Sequence, residues 1–238
     1  MIDQKPHFAA LNHQPVPQQE SERPDETAEV VELAIYKVRP DQLANYPAAR
    51  AQMRAALKAL SGYRSGHTFQ AVSDATIFVD YFTWAGLEDA QEAARQIEHL
   101  AEAQDFLQTI DSILVYHHLT FVADGLILGP AHHRPPTPDD VAEMAVYRAP
   151  EASQEALLSE RLPIFEMIKR YDGFRSGRTA RAIEDAEVIV DFVQWTDLAT
   201  AEKADSKVTA TPEAESYFSK VTEITFFDRL KPLRHDAE

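Results

Sequence analysis

Hydrophobic and polar positions follow the same order twice along the chain. Short apolar runs at 31–38 and 144–148 have the character of strands, and each precedes a segment whose apolar side chains recur at helical spacing. Two more strand-like runs follow at 64–72 and 76–83 in the first copy, and then an Ala- and Glu-rich helical segment and a last strand at 110–121. The second copy has the same pattern. The chain therefore predicts the order β-α-β-β-α-β in each copy.

The two copies are related by a constant offset of 111 positions. The segment Gly-Tyr-Arg-Ser-Gly at 62–66 recurs as Gly-Phe-Arg-Ser-Gly at 173–177, and Trp84 maps onto Trp195. Between positions 62 and 84, 11 of 23 residues are identical at this offset, where average composition gives about one or two by chance. We therefore predict a tandem duplication in which each copy is a small domain.

Composition divides the chain into five segments. Residues 1–28 are rich in Pro, Gln and Glu without an apolar period, which predicts a disordered tail. The first repeat spans 29–122, and the second spans 140–231. Between them, 123–139 contains Gly-Pro and Pro-Pro pairs and is predicted to be a Pro-rich linker, and 232–238 forms a terminal tail.

Charge and composition exclude several classes of function. The 23 Lys and Arg residues against 39 Asp and Glu give a net charge of −16, which argues against a nucleic acid or an anionic membrane as partner. The chain has no cysteine, so disulfides and thiolate nucleophiles are excluded. No apolar run approaches the roughly 20 residues of a membrane span. We expect a soluble, cytoplasmic protein.

The third strand of the first copy indicates how the copies pack. Residues 77–82 are apolar on both faces apart from Asp80, whereas an antiparallel sheet with one face in water alternates. One face can pack on the helices, and the second copy is the obvious cover for the other. We therefore expect an α+β protein of two ferredoxin-like repeats whose sheets face each other as a closed α/β barrel within one chain.

These features together resemble a known family. A helix, a G-[YF]-x-x-G turn, an apolar strand that ends in Trp and a second helix are similar to the antibiotic-biosynthesis-monooxygenase-like domains of the dimeric α/β-barrel superfamily. The resemblance covers about residues 29–122 and 140–231. Most members build the barrel from two chains, and this sequence resembles a fused version. The sequence leaves open whether such fused barrels associate into homo-oligomers.

The resemblance implies a function and leaves alternatives. It implies a cofactor-independent monooxygenase in which O₂ oxidises the phenolate of a small aromatic or polyketide-like substrate. One alternative is a non-catalytic barrel that binds a small hydrophobic molecule or is associated with stress. A weaker alternative is a haem-binding protein. The second helix of the first copy, however, lacks the Trp of haem-degrading relatives, and His99 is its only histidine.

The repeated polar residues are the first candidates for chemistry. Tyr36 and Tyr147 lie on the first strands, opposite the aliphatic face, and are expected to face the cavity, where a hydroxyl could bind a phenol oxygen. Asp80 and Asp191 lie in apolar strands and require a partner or a raised pKa. Arg64 and Arg175 on the adjacent strands are the expected partners. Each pair is either a structural ion pair or a base with its positioning cation.

The histidines distinguish the copies. His67, His99, His117 and His118 occur in the first copy only, which makes it the better catalytic candidate. Adjacent strand residues point to opposite faces, so only one of His117 and His118 can enter a cavity. Trp84 and Trp195 are either core anchors or platforms for an aromatic ligand. The candidate catalytic residues are Tyr36, Asp80, His67, His117 and His118, and the candidate substrate-binding residues are Arg64, Trp84, Tyr147, Arg175, Asp191 and Trp195, with no metal or cofactor expected.

Overall fold

The computed structural model describes residues 29–233, so the predicted tail at 1–28 and most of the tail at 232–238 lie outside the described residues. The chain divides into two compact units with the boundary between Thr120 and Phe121. We call them unit 1 and unit 2. Among the described residues, no helix is both long and apolar enough to cross a membrane.

Unit 1 contains an antiparallel sheet and three α-helices. The strand order is β4-β1-β3-β2, with β1 hydrogen-bonded on one side to β3 and on the other to β4. The elements are β1 Val30–Val38, α1 Tyr46–Leu57, β2 Tyr63–Ala71, β3 Ile77–Trp84, α2 Leu87–Ile97, α3 Ala101–Thr109 and β4 Ile110–Leu128, and the part of β4 from Phe121 onward belongs to unit 2.

Unit 2 repeats this arrangement. Its antiparallel sheet has the order β8-β5-β7-β6, so the first strand is again central. The elements are β5 Val141–Arg148, α4 Glu151–Ile168, β6 Phe174–Ala182, β7 Val188–Trp195, α5 Leu198–Val208, α6 Pro212–Phe218 and β8 Glu223–Pro232.

The second helical segment of each unit differs from the single helix that the sequence predicts. It consists of two helices, α2 and α3 in unit 1 and α5 and α6 in unit 2. In unit 2, Thr211 is extended, its hydroxyl accepts a hydrogen bond from the backbone of Ala214, and Pro212 opens the new helix. A capping hydroxyl followed by Pro is a helix start, so the chain begins a second helix there.

Strand β4 is longer than predicted. It continues to Leu128 and so enters the segment 123–139 that the sequence analysis assigned to a linker. The reason is the short apolar run before Gly129, where Ile127 packs against the core of unit 2 while Leu126 and Leu128 are exposed. This alternation is that of a strand with one buried face.

The face of β1 that meets the helices is the opposite of the predicted one. The Tyr36 ring lies 6.4 Å from Tyr46 on α1 and 5.7 Å from Phe106 on α3, measured between centroids. Because side chains alternate along a strand, Leu33 and Ile35 lie on the face away from these helices. Both faces are fully buried at these positions, so the hydrophobic pattern alone did not distinguish them.

Candidate functional site

Five ionisable side chains converge between the sheet and the helices of unit 1. We call them the polar cluster: Glu32, Arg50, Arg54, Asp80 and His118. The strands β1, β3 and β4 supply the two carboxyls and the imidazole on one face of the sheet, because Glu32 lies directly opposite His118 across β1 and β4. The two arginines lie four residues apart on α1 and therefore share one face of that helix.

Asp80 is the centre of a hydrogen-bond network. The hydroxyl of Tyr36 donates to its Oδ2 at 2.8 Å, and the hydroxyl of Thr68 donates to its Oδ1. The guanidinium of Arg50 lies 3.9 Å from the same Oδ1. The hydroxyl of Tyr46 lies 2.8 Å from that of Tyr36 and extends the network to α1. Burial raises the pKa of Asp80, and the Arg50 charge opposes this rise.

The prediction that Arg64 pairs with Asp80 is wrong. Arg64 is exposed, and Thr68 is the β2 residue directly opposite Asp80. Four residues along a strand correspond to about 13 Å, so Arg64 lies too far along β2 to reach the carboxylate. The helix supplies the cation instead, through Arg50.

Glu32 is a carboxyl of the polar cluster whose pKa is shifted to neutral pH. Burial raises its pKa to about 7, and the Asp80 charge adds to the rise. The His118 charge and the nearby polar groups of Trp84 and Tyr116 act in the opposite direction. At neutral pH the carboxyl therefore exists in both protonation states, which is the property of a group that accepts and returns a proton.

Arg54, Tyr63 and Trp84 surround the same region. Arg54 is buried, and its Nη2 donates to the backbone carbonyl of Gly66. Trp84 is fully buried, and the Tyr63 ring meets it edge-on with centroids 5.6 Å apart. The hydroxyl of Tyr63 is also buried and forms no hydrogen bond within the described part of the chain. The Arg54 guanidinium, the Tyr63 hydroxyl and the aromatic rings of Tyr63 and Trp84 therefore lie in one region of unit 1.

The structure separates the candidate histidines. His118 is fully buried in the polar cluster, whereas His117 is half-buried on the opposite face of β4. His67 is exposed and lies opposite Tyr81, on the face of the sheet away from Asp80. Of the predicted histidines, His118 alone joins Tyr36, Asp80 and Trp84.

The sequence analysis did not identify Glu32, Arg50, Arg54 or Tyr63. A signal for two of them was present, because Glu32 and Arg50 recur as Glu143 and Arg161 at the offset of 111. A charge kept at matched positions among apolar neighbours indicates a buried role.

Unit 2 contains the same aspartate network with one different contributor. The hydroxyls of Tyr147 and Tyr217 both donate to Oδ2 of Asp191 at 2.9 Å, and Thr179 donates to Oδ1. Tyr217 comes from α6, whereas Tyr46 in unit 1 comes from α1. Trp195 is 2% exposed and packs in the core of the unit. Burial raises the pKa of Asp191, as it does for Asp80.

Arg175 does not pair with Asp191, which corrects the second predicted ion pair. Its guanidinium donates to three backbone carbonyls of the segment 131–140, which we call the clamped segment. It also forms a buried ion pair with Asp140 at 2.9 Å. The residue therefore fixes the Pro-rich segment to β6, and the cation that acts on Asp191 is Arg161 of α4.

Comparisons with known proteins show the fold. No protein-family model and no curated protein matches the chain. An anthrone oxidase-like protein aligns with a TM-score of 0.65 at 14% identity, over 88% of this chain and 93% of its own. A proposed monooxygenase from Fusobacterium nucleatum aligns at 0.61 and 10% identity, over 87% and 94% of the two chains.

A chlorite dismutase from Candidatus Nitrospira defluvii, in complex with imidazole, aligns with a TM-score of 0.58 at 12% identity, over 88% of this chain and 94% of its own. At these identities the likeness shows only that the chain shares a mixed α+β fold with these proteins. One fold hosts many activities, so the function has to be argued from the side chains.

Proposed function

We propose that the chain is a monooxygenase-like enzyme that oxidises a small aromatic substrate with O₂ and without a cofactor, at the polar cluster of unit 1. Two of the solved structures with this fold are described as an anthrone oxidase-like protein and a proposed monooxygenase. That likeness motivates the reaction class. The side chains of the cluster carry the argument.

The observation that carries the proposal is the Glu32 carboxyl opposite His118. Its pKa of about 7 matches the task of removing a proton from a weakly acidic phenol or from an activated carbon at neutral pH. Asp80 is less suited to that task, since Tyr36 and Thr68 donate to its two oxygens. We assign Asp80 and Tyr36 the role of positioning residues that hold Arg50 and the strand in place.

The negative charge that develops on the substrate has a suitable environment. Removal of the proton leaves an anionic oxygen, and Arg54 places a permanent positive charge one helical turn from Arg50. The buried hydroxyl of Tyr63 can donate to that oxygen, and the ring of Trp84 offers an apolar wall for a planar substrate. Groups fixed before the reaction in a site shielded from water stabilise such a charge more than water does.

The reaction balances with O₂ as the oxidant. For an anthrone, the ring methylene carbon loses two hydrogens and gains one oxygen to become the second carbonyl of an anthraquinone. The other oxygen atom leaves as water with those two hydrogens. The protein supplies a base, a cation and shielding from solvent, and no external reductant is needed.

Oxygen consumption tests the proposal. The wild-type chain is expected to consume O₂ with a dihydroxyanthrone faster than buffer alone, and the change Glu32→Gln is expected to lower that rate by about 100-fold or more. Glu92→Gln is the control, because Glu92 lies exposed on α2 in an ion pair with Arg95. A Glu32→Gln protein with wild-type rate and intact circular dichroism would contradict the assignment.

The alternatives give different results in the same experiment. A non-catalytic binding protein would bind a dihydroxyanthraquinone without any O₂ consumption above buffer. Among the described residues, His118 is the one fully buried histidine, and its ring packs against Tyr116 with centroids 5.5 Å apart. This enclosed imidazole does not fit the axial ligand of a haem, whose iron needs an open face. Addition of haemin should therefore give no Soret band typical of a ligated haem.

A further inference from the structure

The two units keep the aspartate network but differ around the matched glutamates. Four exchanges at the offset of 111 fall near Glu32 and Glu143. From unit 1 to unit 2 they are Arg54 to Phe165, Tyr63 to Phe174, Ala94 to Asp205 and His118 to Arg229. Unit 2 therefore lacks the helix arginine that unit 1 has at Arg54 and has a strand arginine, Arg229, instead. It also lacks the hydroxyl of Tyr63.

The glutamate of unit 2 is held in an ion-pair chain. Nε of Arg229 lies 3.3 Å from Glu143, and its Nη2 donates to Asp205 of α5 at 2.8 Å. All three side chains are mostly buried. Burial raises the pKa of Glu143 to about 7 against the opposing charge of Arg229, so Glu143 and Glu32 differ in the geometry of their partners and not in their pKa.

Unit 1 has smaller side chains at the same positions. Ala94 replaces the carboxylate of Asp205, and His118 replaces the guanidinium of Arg229. The Ala94 methyl and an imidazole occupy less volume than the Asp205–Arg229 pair. The Glu143 carboxyl is therefore surrounded by one more carboxylate and a larger cation than the Glu32 carboxyl.

An aromatic ring fills the second half of the matched place in unit 2. Phe165 packs directly on Gly177, where an added Cβ would collide with the ring. It belongs to a hydrophobic cluster with Phe174 and Trp195. An added Cβ on the matched Gly66 of unit 1 would likewise collide with a ring, that of Phe82, but the positions of Phe165 and Phe174 carry the guanidinium of Arg54 and the hydroxyl of Tyr63. An anionic oxygen at this place in unit 2 would lie against the two phenylalanine rings, with the Arg161 guanidinium 5.7 Å from the centre of the Phe165 ring, and would lack that second cation and the hydroxyl.

We propose that unit 1 alone binds and oxidises the aromatic substrate, and that in unit 2 the Asp205–Arg229–Glu143 chain and the replacement of Arg54 and Tyr63 by Phe165 and Phe174 prevent this. This inference rests on the proposed function. Unit 2 keeps the Asp191 network as a structural element and has no substrate of its own. The residues that decide between the two units are then Arg54, His118 and their counterparts Phe165 and Arg229.

The two tryptophans allow each unit to be observed separately. The chain has only two, Trp84 in unit 1 and Trp195 in unit 2. Protein labelled with fluorotryptophan should therefore give two fluorine resonances, which the change Trp84→Phe or, if that variant does not fold, Trp195→Phe assigns. The probe is a dihydroxyanthraquinone, added to the full-length chain.

The expected result is a shift or broadening of the Trp84 resonance with saturation at one probe per chain, and an unchanged Trp195 resonance. A Trp195 resonance that moves with the same apparent affinity would overturn the inference and leave the proposed function standing. If neither resonance moves at saturating probe, the proposed function is contradicted, and the inference falls with it.

A matched pair of variants provides a second readout. Glu143→Gln leaves Arg229 paired with Asp205 and is expected to keep the rate of O₂ consumption and the affinity for the probe within about twofold of wild type. Glu32→Gln, the same change at the matched position, is expected to lower the rate by about 100-fold. If each variant instead lowers the rate by about half, both units are active and the inference is wrong.

Discussion

The raised pKa of Glu32 makes the stability of the protein depend on pH in a direction that can be tested. In the folded state the pKa of Glu32 is raised by burial to about 7, from its ordinary value of 4.5. The stabilisation from the retained proton is complete below the lower value and is lost as the pH rises through the higher one. At 1.36 kcal/mol per pH unit, the change amounts to about 3 kcal/mol.

The variant Glu32→Gln isolates this contribution, because glutamine keeps the shape of the side chain and does not titrate. The free energy of unfolding of the variant minus that of wild type should increase by about 3 kcal/mol between about pH 4 and pH 9. Urea unfolding followed by tryptophan fluorescence and circular dichroism measures it, provided that the two transitions coincide.

Glu92→Gln serves as the control with the opposite sign. Hydrogen bonds from Gln96 and Arg95 lower the pKa of Glu92, so its wild-type carboxylate contributes stability above its unfolded pKa and loses it as the pH falls. The difference between the Glu92→Gln variant and wild type should therefore fall slightly with rising pH. A Glu32→Gln difference that stays constant over the whole pH range would refute the burial of this carboxyl.

Three further changes test the rest of the structure. Tyr36→Phe removes a hydrogen bond to the buried Asp80 and keeps the ring, so it should cost about 1–3 kcal/mol in urea unfolding, and an unchanged midpoint would contradict the network. Arg175→Met breaks a buried ion pair and should cost about 3–5 kcal/mol. It should also speed hydrogen–deuterium exchange of the backbone amides in the clamped segment, whereas unchanged exchange would show that Arg175 does not hold it. Gly62→Ala forces a φ of +75° on a residue with a Cβ and should cost about 1–2 kcal/mol, as a lowered thermal midpoint would show.

The order of strands and helices could be predicted because local patterns encode it. Period-two runs and helical spacing repeated at a fixed offset identified four strands in each copy, with ends within a few residues of those in the structure except for β4 and the first strand of the second copy. The break between α5 and α6 was missed, although Thr211 followed by Pro212 is a visible start signal. Closure of the two sheets into one barrel stays a prediction.

The candidate site was predicted in part. Tyr36, Asp80, Trp84 and His118 do lie together, because they are on one face of adjacent strands and strand alternation is readable from sequence. Glu32 was overlooked because a single glutamate in a strand has no local feature that distinguishes it from a solvated one. The expected interactions of Asp80 with Arg64 and of Asp191 with Arg175 assumed pairing between neighbouring strands, whereas helices supply the cations.

The order of the elements within each copy and the difference in histidines between the copies can be read from the amino-acid sequence, and the duplication is a prediction from it, since each depends on residues close together or at a constant spacing. Only the tertiary structure decided which face of β1 meets the helices, that Arg50 rather than Arg64 lies by Asp80, and that Glu32 lies opposite His118. Strand β1 carries large apolar side chains on both faces, so a purely local pattern does not distinguish which face is buried against the helices. The packing of helices that are distant in the chain then selects one of them, and with it the groups that surround each buried charge.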